Sequence, residues 1–399
     1  MSAPAFDLDQ LRRYPDVEAP DLGAVDATDR LVLDEAATAL ATAGPGEVVV
    51  IGDRYGALAL GAIALHGARD VRVHQDTLVH ERALEANAER GGLVGTYRSL
   101  SLVPELVTGA RVVLLQLPRG LAALEEVAEL VAAHAEPDVV VIAGGRLKHM
   151  SRSMNEVLGR HFADVTASLA RQKSRCLVAR QPTPPGTFPS FPRKHFDEQH
   201  GVWIAAHGAA FAGPSLDLGT RYLLTFLGEM SPQARDAIDL GCGTGVLAAQ
   251  LAAARPDLDV VATDTSSAAV RSTRATIEAN SLGERVQVVR EDGLESQPPV
   301  SADLIVCNPP FHVGASVQPD VAIELFKGAA RVLRPGGELW TVFNSRLGHA
   351  GALRRIVGST KVMGDNGKFT VTRSIKQPSR GESGAARQGA GDESAQRRA

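Results

Sequence analysis

The chain has 399 residues, 44% of them hydrophobic and 22% charged, with a net charge of −4. That balance predicts a soluble globular protein of two to three domains, and it excludes a disordered chain or one that meets nucleic acid over its whole surface. Three separated cysteines (Cys176, Cys242, Cys307) argue against a disulfide scaffold or a zinc cluster, and no apolar run reaches membrane-spanning length. The first residues lack the basic-then-apolar order of a signal peptide, so the expectation is a cytoplasmic protein without membrane or metal.

Residues 1–36 are acidic, with nine Asp or Glu against three Arg. EVVVI at 47–51 reads as a buried strand, followed by a Gly-rich turn and an Ala-rich helix. VRVHQD (71–76) reads as a strand ending in an acid, then LVHERALEANAERGGL as a helix. RVVLLQL (111–117), a helix over 121–135 and the strand PDVVVIAG (137–144) complete an alternating α/β pattern. Residues 181–195 contain five prolines and read as a linker.

Beyond it the order begins again. AIDL (237–240) is a strand, GCGTGVLAAQLAAA a turn and helix, DVVATD (259–264) a strand ending in an acid, and SSAAVRSTRATIEANSLG a helix. Next come the strands VQVVRED (286–292) and DLIVCN (303–308), a helix through ELFKGAARVLRPGG and the strand ELWTVFN (338–344). The halves form an internal repeat offset by about 190 residues, with VIGDRYG (50–56) over DLGCGTG (239–245) and Asp76 over Asp264. The predicted organisation is a first domain over 1–180, a linker over 181–195, a second domain over 196–376 and a disordered tail over 377–399.

DLGCGTG places Gly241, Gly243 and Gly245 where a strand turns into a helix and the backbone can approach a ligand closely. A phosphate-binding loop would not set a carboxylate against an anion, whereas Asp239 suits the ammonium group of S-adenosyl-L-methionine. Asp264, at the next strand tip, can accept from both ribose hydroxyls, although it can equally cap the following helix. Asp292 is a candidate for the adenine amine or an ordinary loop acid.

NPPFH (308–312) ends the DLIVC strand. Two prolines hold that chain extended, so the Asn308 side-chain carbonyl and the Pro309 backbone carbonyl can face one planar amine, with Pro310 stiffening the turn and Phe311 stacking on the substrate. The plainer alternative is a simple Asn-Pro turn. His312 has a possible role in proton loss or phosphate contact, and a structural one is the commoner fate of a lone histidine.

At these residues the chain resembles the bacterial two-domain ribosomal RNA guanine-N2 methyltransferases, of the small-subunit methyltransferase C and large-subunit methyltransferase G types. The resemblance spans about residues 20–375 and rests on FAGPSLDLGTRYLL (211–224), DLGCGTGVLA (239–248), NPPFHVG (308–314) and GKFTVTR (367–373). In the first half, LLQLPRGLAALEE (114–126) and VIAGGRLKHM (141–150) resemble the large-subunit type. It implies two tandem Rossmann-like class I methyltransferase domains, the first degenerate, with Asp217, Gly219 and Thr220 near the cofactor's methionine end. Val50, Arg54 and Gln116-Leu117-Pro118-Arg119 break the cofactor and substrate patterns in the first half. Residues 146–194 hold ten Lys or Arg against two acids, which favours an RNA contact there.

The function implied is methylation of a guanine N2 in ribosomal RNA, on free rRNA or a ribosomal subunit, by a monomer. NPPF alone also admits adenine N6 or a protein glutamine amide as the methyl acceptor. An RNA-binding assembly factor without turnover is the remaining alternative.

Overall fold

The computed structural model describes residues 6–183, 189–310 and 319–378, and these fall into two compact units. Unit 1 takes the chain up to Arg193 together with Ala206–Gly213 and Thr265–Ala268; unit 2 takes Lys194–Ala205, Pro214–Asp264 and the described chain from Ala269 onward.

The strands of unit 1 are β1 (Val48–Ile51), β2 (Val71–His74), β3 (Tyr97–Ser99), β4 (Val112–Gln116), β5 (Val140–Arg146), β6 (Phe162–Ala167) and β7 (Ser174–Pro182). They lie in the order β3-β2-β1-β4-β5-β7-β6, parallel from β3 to β5, with β7 antiparallel to both neighbours. A short pair, β8 (Arg193–Asp197) and β9 (Val202–Ala206), forms its own sheet. Unit 2 contributes β10 (Asp236–Leu240), β11 (Asp259–Asp264), β12 (Val286–Arg290), β13 (Ala302–Cys307), β14 (Leu333–Asn344), β15 (Gly358–Asp365) and β16 (Phe369–Lys376). Their order, β12-β11-β10-β13-β14-β16-β15, repeats that of unit 1 strand for strand.

The apolar runs of the central strands have a direct cause. A parallel sheet covered by helices is buried on both faces, so its strands are apolar at every position. In unit 1, Val49, Ile51, Val113 and Leu115 enter one core, and Val48, Val50, Val112 and Leu114 enter the core on the opposite face. Unit 2 divides the same way, with Ala237, Val306 and Trp340 on one side and Ile238, Ile305 and Phe343 on the other. Each large apolar side chain among them contributes roughly 1.5–3 kcal/mol by leaving water.

The Pro-rich stretch differs from the bare linker expected over 181–195. Gln181 and Pro182 close β7, where Pro182 lies opposite Phe162, and Arg193 to His195 open β8. Proline is tolerated at a strand end, where a ladder N–H is not required. The antiparallel strands β6, β7, β15 and β16 do not stand out in the periodicity of the sequence. RPGG at 334–337 reads as a helix stop, but it lies within β14. Most of the expected tail lies outside the described residues.

The turn after β10 is where local sequence matters most. Gly245 sits at φ +76°, and a Cβ there would lie 2.6 Å from Thr273 Cγ2. Left-handed backbone costs an ordinary residue about 1–2 kcal/mol before any clash. Gly245→Ala should therefore lower stability by about 2 kcal/mol or more in urea unfolding. Gly243→Ala, also left-handed at φ +56° but with nothing within 4 Å among the described residues, should lose clearly less. Equal losses would rule out the Thr273 contact as the cause.

Candidate active site

Three neighbouring strands of unit 2 end together. Leu240 of β10 pairs with Thr263 of β11 and with Cys307 of β13. The next residues, Gly241, Asp264 and Asn308, therefore leave the sheet side by side at its carboxyl edge. Strand order reverses at β10, and open parallel sheets hold ligands at such a switch point.

Asp239 is fully buried on β10. One oxygen accepts the Ala248 N–H at 3.0 Å and so fastens the strand to the helix Val246–Ala254. The other, Oδ1, is buried without a donor among the described residues. Burial pushes this carboxyl up to about 7, the neighbouring Asp264 adds to the rise, and the Ala248 bond opposes it.

Asp264 accepts the Gly243 N–H at 3.0 Å, so the acid at the strand tip also holds the glycine turn. The Thr273 hydroxyl grips the Gly243 carbonyl at 3.1 Å. Among the described residues no heavy atom lies within 4 Å of where a side chain would begin at Gly241 or Gly243, so the turn is open on their side.

Asn308 donates through Nδ2 to Thr220 Oγ1 at 3.1 Å and to the two oxygens of Asp217 at 3.3 and 3.4 Å. Asp217 also caps the helix Leu218–Leu224, accepting from Gly219 and Thr220 N–H at 2.9 and 3.2 Å. A carboxylate only accepts, so the amide nitrogen must face it and the amide oxygen must turn away. That oxygen, Asn308 Oδ1, is buried with no donor among the described residues.

Pro309 is buried and Pro310 exposed; Phe311 and His312 lie outside the described residues. Asp292 stands one strand further out and is exposed, its backbone carbonyl accepting from Glu295. The buried acid there is Glu291, which closes on Ser296 and Gln297. The strand tips and the helix cap thus gather Thr220, Asp239, Gly241, Gly243, Asp264 and Asn308, with Gly245 opening the helix behind them. Sequence reasoning missed the Asp217–Asn308 bond. Its only signal was the capping pattern at Asp217, and 91 residues separate the partners.

Unit 1 has the same strand ends with different chemistry. Ile51 pairs with His74 and Leu115, so Gly52, Gln75 and Gln116 occupy the equivalent tips. Gln75, rather than Asp76, takes the place of Asp264, and its amide donates to the Asp53 and His80 carbonyls at 2.6 and 3.0 Å. The lost acid at Val50 is answered by Asp53, fully buried and accepting from Gly56, Leu58 and Ala59 N–H at 3.1, 3.0 and 2.9 Å. Gln116 donates to the buried Asp29, whose carboxyl is pushed up to about 7 by burial and by Asp53. A cavity of about 620 Å³ in unit 2, between the helix Ser267–Ala279 and β12, is lined by Arg274, Ile277, Glu278 and Arg285 and contains none of the site residues.

A family described as RLMG N-terminal domain matches residues 3–183, and one described as Methyltransferase small domain matches residues 201–373. Ribosomal RNA large subunit methyltransferase G of Streptomyces coelicolor is 34% identical over 375 residues, covering 92% of this chain and 98% of its own. The protein of that name from Pseudomonas aeruginosa is 35% identical over 370 residues, covering 92% and 97%. The chain belongs to the ribosomal RNA large subunit methyltransferase G family. A T. thermophilus 16S rRNA N2 methyltransferase, solved with AdoMet and guanosine, shares the fold at a TM-score of 0.71 and 23% identity, over 88% of this chain and 92% of that one. The duplicated sheet order is therefore that of a two-domain class I methyltransferase.

The buried carboxyl of Asp239 has a measurable consequence. Its folded value stands well above the ordinary aspartate value of 3.8, so between about pH 4 and 7 the native state holds more protons than the unfolded one. Stability then falls as pH rises through that window. Asp239→Asn removes the loss: its urea midpoint should exceed that of the wild type at pH 8, and the advantage should vanish at pH 4. A difference independent of pH would sink this account of the carboxyl.

Proposed function

We propose that the chain is an S-adenosyl-L-methionine-dependent methyltransferase acting on the exocyclic N2 of a guanine in large-subunit ribosomal RNA. Membership of the large subunit methyltransferase G family supports the reaction and the substrate class. The observation that carries the reading is Asn308 Oδ1, a buried acceptor without a donor among the described residues, fixed in direction by Asp217 and Thr220.

The residues fit the cofactor. Asp239 Oδ1 is a second buried acceptor suited to an ammonium group, directly or through water. The open space over Gly241 and Gly243 suits close approach of a ligand to backbone, and Asp264 at the strand tip suits ribose hydroxyls. Bound there, the cofactor supplies an activated methyl group. Asp292 is assigned to the adenine from the next strand, and Thr220 to the methionine end.

Asn308 does its work on the substrate nitrogen. While that nitrogen is planar and neutral, its N–H groups donate weakly to Asn308 Oδ1 and to the Pro309 carbonyl. As the new N–C bond forms and the methyl–sulfur bond breaks, the nitrogen becomes tetrahedral and positive and its N–H groups become stronger donors, until one proton is lost to solvent and the neutral methylated amine remains. An interaction that strengthens along the reaction lowers the barrier without tightening the ground state. Pro309 and Pro310 keep the acceptors from swinging away, and Phe311 is assigned to stacking on the base.

Cations on unit 1 support an RNA partner. Arg54, Arg119 and Arg146 lie at or just beyond the carboxyl ends of β1, β4 and β5, and Lys148 follows β5. Arg119 and His149 stand 3.5 Å apart. Such a cluster meets phosphate in an otherwise acidic protein. Several members of the basic sequence stretch are engaged in ion pairs, Arg146 with Asp26, Arg160 with Glu125 and Arg171 with Asp34. A cytoplasmic monomer acting on rRNA or a ribosomal subunit completes the proposal. Among the described residues no helix is long and apolar enough to cross a membrane.

Asn308→Ala should cut single-turnover methylation of large-subunit rRNA by about 10²–10³ while leaving cofactor affinity unchanged. Near wild-type turnover would remove Asn308 from the chemistry. Calorimetry should find one cofactor site per chain, abolished by Gly243→Arg and indifferent to Arg54→Gly. Two sites per chain would contradict the division between a turn with glycine at 243 in unit 2 and one with Arg54 at the aligned position in unit 1.

A further inference from the structure

None of the site residues named above lies on the β8–β9 pair. Its outer face carries Phe196 and Trp203, 39% and 43% exposed, with ring centroids 5.2 Å apart and planes tilted by 51°. Side chains alternate along a strand, so Lys194 shares the face of Phe196. The two exposed charged residues of β8, Arg193 and Lys194, are both basic. The chain has two tryptophans, and the other, Trp340, is fully buried.

The platform is held from beneath. The Trp203 N–H donates to Asn280 Oδ1 at 3.0 Å, and its carbonyl accepts from Asn280 Nδ2 at 2.8 Å. Ala205 exchanges a matching pair of bonds with the Thr276 hydroxyl, at 2.9 and 3.3 Å. Two side chains on one helical stretch thus act as a third strand beside β9 and keep the indole turned outward. The turn after β8 is tied to the helix that positions Asn308, because Arg221 reaches Gln199 at 3.1 Å and Asp197 at 3.8 Å.

We infer that Phe196, Trp203 and Lys194 form a stacking platform for an unpaired nucleotide of the RNA substrate, outside the nucleotide that is methylated. This rests on the rRNA reading of the site. Two rings with a neighbouring cation suit a base and its phosphate, and stacking on an aromatic side chain is indifferent to which base arrives. The rigid backing means that binding does not have to order the rings first, which preserves affinity. The shared helix Leu218–Leu224 places platform and methylation site on one support, so an RNA held at Trp203 is registered against Asn308.

The test uses the full chain and the uneven burial of its tryptophans. A single-stranded adenosine decanucleotide is titrated into the wild-type protein while tryptophan emission is followed. Saturable quenching is expected, because the exposed indole is the one the oligonucleotide reaches, and Trp203→Ala should abolish it. In methylation of protein-free large-subunit rRNA, Trp203→Ala should raise KM roughly fivefold or more with kcat and cofactor affinity unchanged, and Trp203→Phe should restore most of the loss. Absent quenching, or a KM unchanged in both Trp203→Ala and Phe196→Ala, overturns the platform. If the wild type methylates no rRNA at all, the functional reading fails, and the quenching still judges the platform separately.

Discussion

The bond from Asn308 to the cap of the helix Leu218–Leu224 is the constraint on which the site depends. An asparagine side chain has a donor end and an acceptor end. Here Asp217 and Thr220 occupy the donor end, and the buried acceptor end has no donor among the described residues. Leaving a buried acceptor unmade costs about 1–3 kcal/mol. The rest of unit 2 holds that cost in place: β13 fixes the backbone, Pro309 and Pro310 stiffen the chain beyond it, and the Asp217 carboxylate forbids the flipped amide. A group positioned in advance does not have to reorganise when charge develops on its partner.

The two units show what the same sheet does with and without such a demand. Both place an amide at the tip of the fourth strand in sequence order and a carboxylate under the glycine turn. In unit 1 these groups are turned inward: Gln116 on Asp29, Asp53 on three helix N–H groups, Gln75 on two carbonyls. In unit 2 Asp239 and Asn308 each keep one oxygen without a donor among the described residues. For the buried carboxylate and the amide of the fourth strand, the two units therefore differ in where the hydrogen bonds go within one topology.

Much of this was legible in the sequence, for definite reasons. Strands buried on both faces are continuous apolar runs, so β1, β4, β5, β10 and β13 announced themselves, and the spacing of glycines and acids marked the turn after β10. β15 and β16 did not, because exposed positions interrupt β15 and the buried Thr370, Thr372 and Ser374 interrupt the apolar run of β16. Asp53 is not legible as a substitute acid, because it stands three residues beyond Val50, the position that aligns with Asp239. Asn308 was legible as a candidate, but the direction of its amide was not, since that is set by Asp217 on a distant stretch of chain. Phe196 and Trp203 carried no signal of their own; a Phe and a Trp seven residues apart read as ordinary core until their exposure is known.

Unit 1 is not assembled from one continuous stretch of chain. Its buried Glu126 accepts from Gly208 N–H at 2.6 Å, with His207 Nδ1 at 2.6 Å from the other oxygen, and Thr265–Ala268 also belong to it. A ribosome releases the chain from the N-terminus, and domains ordinarily fold as they emerge. Here the first sheet is synthesised well before the pieces that complete it. The nascent protein must carry an unfinished first half, with Glu126 lacking these two partners, until the second glycine turn and β11 have left the exit tunnel. A truncation near residue 195 would reproduce that unfinished state permanently, so the first half is not a module to be cut free at the proline-rich stretch.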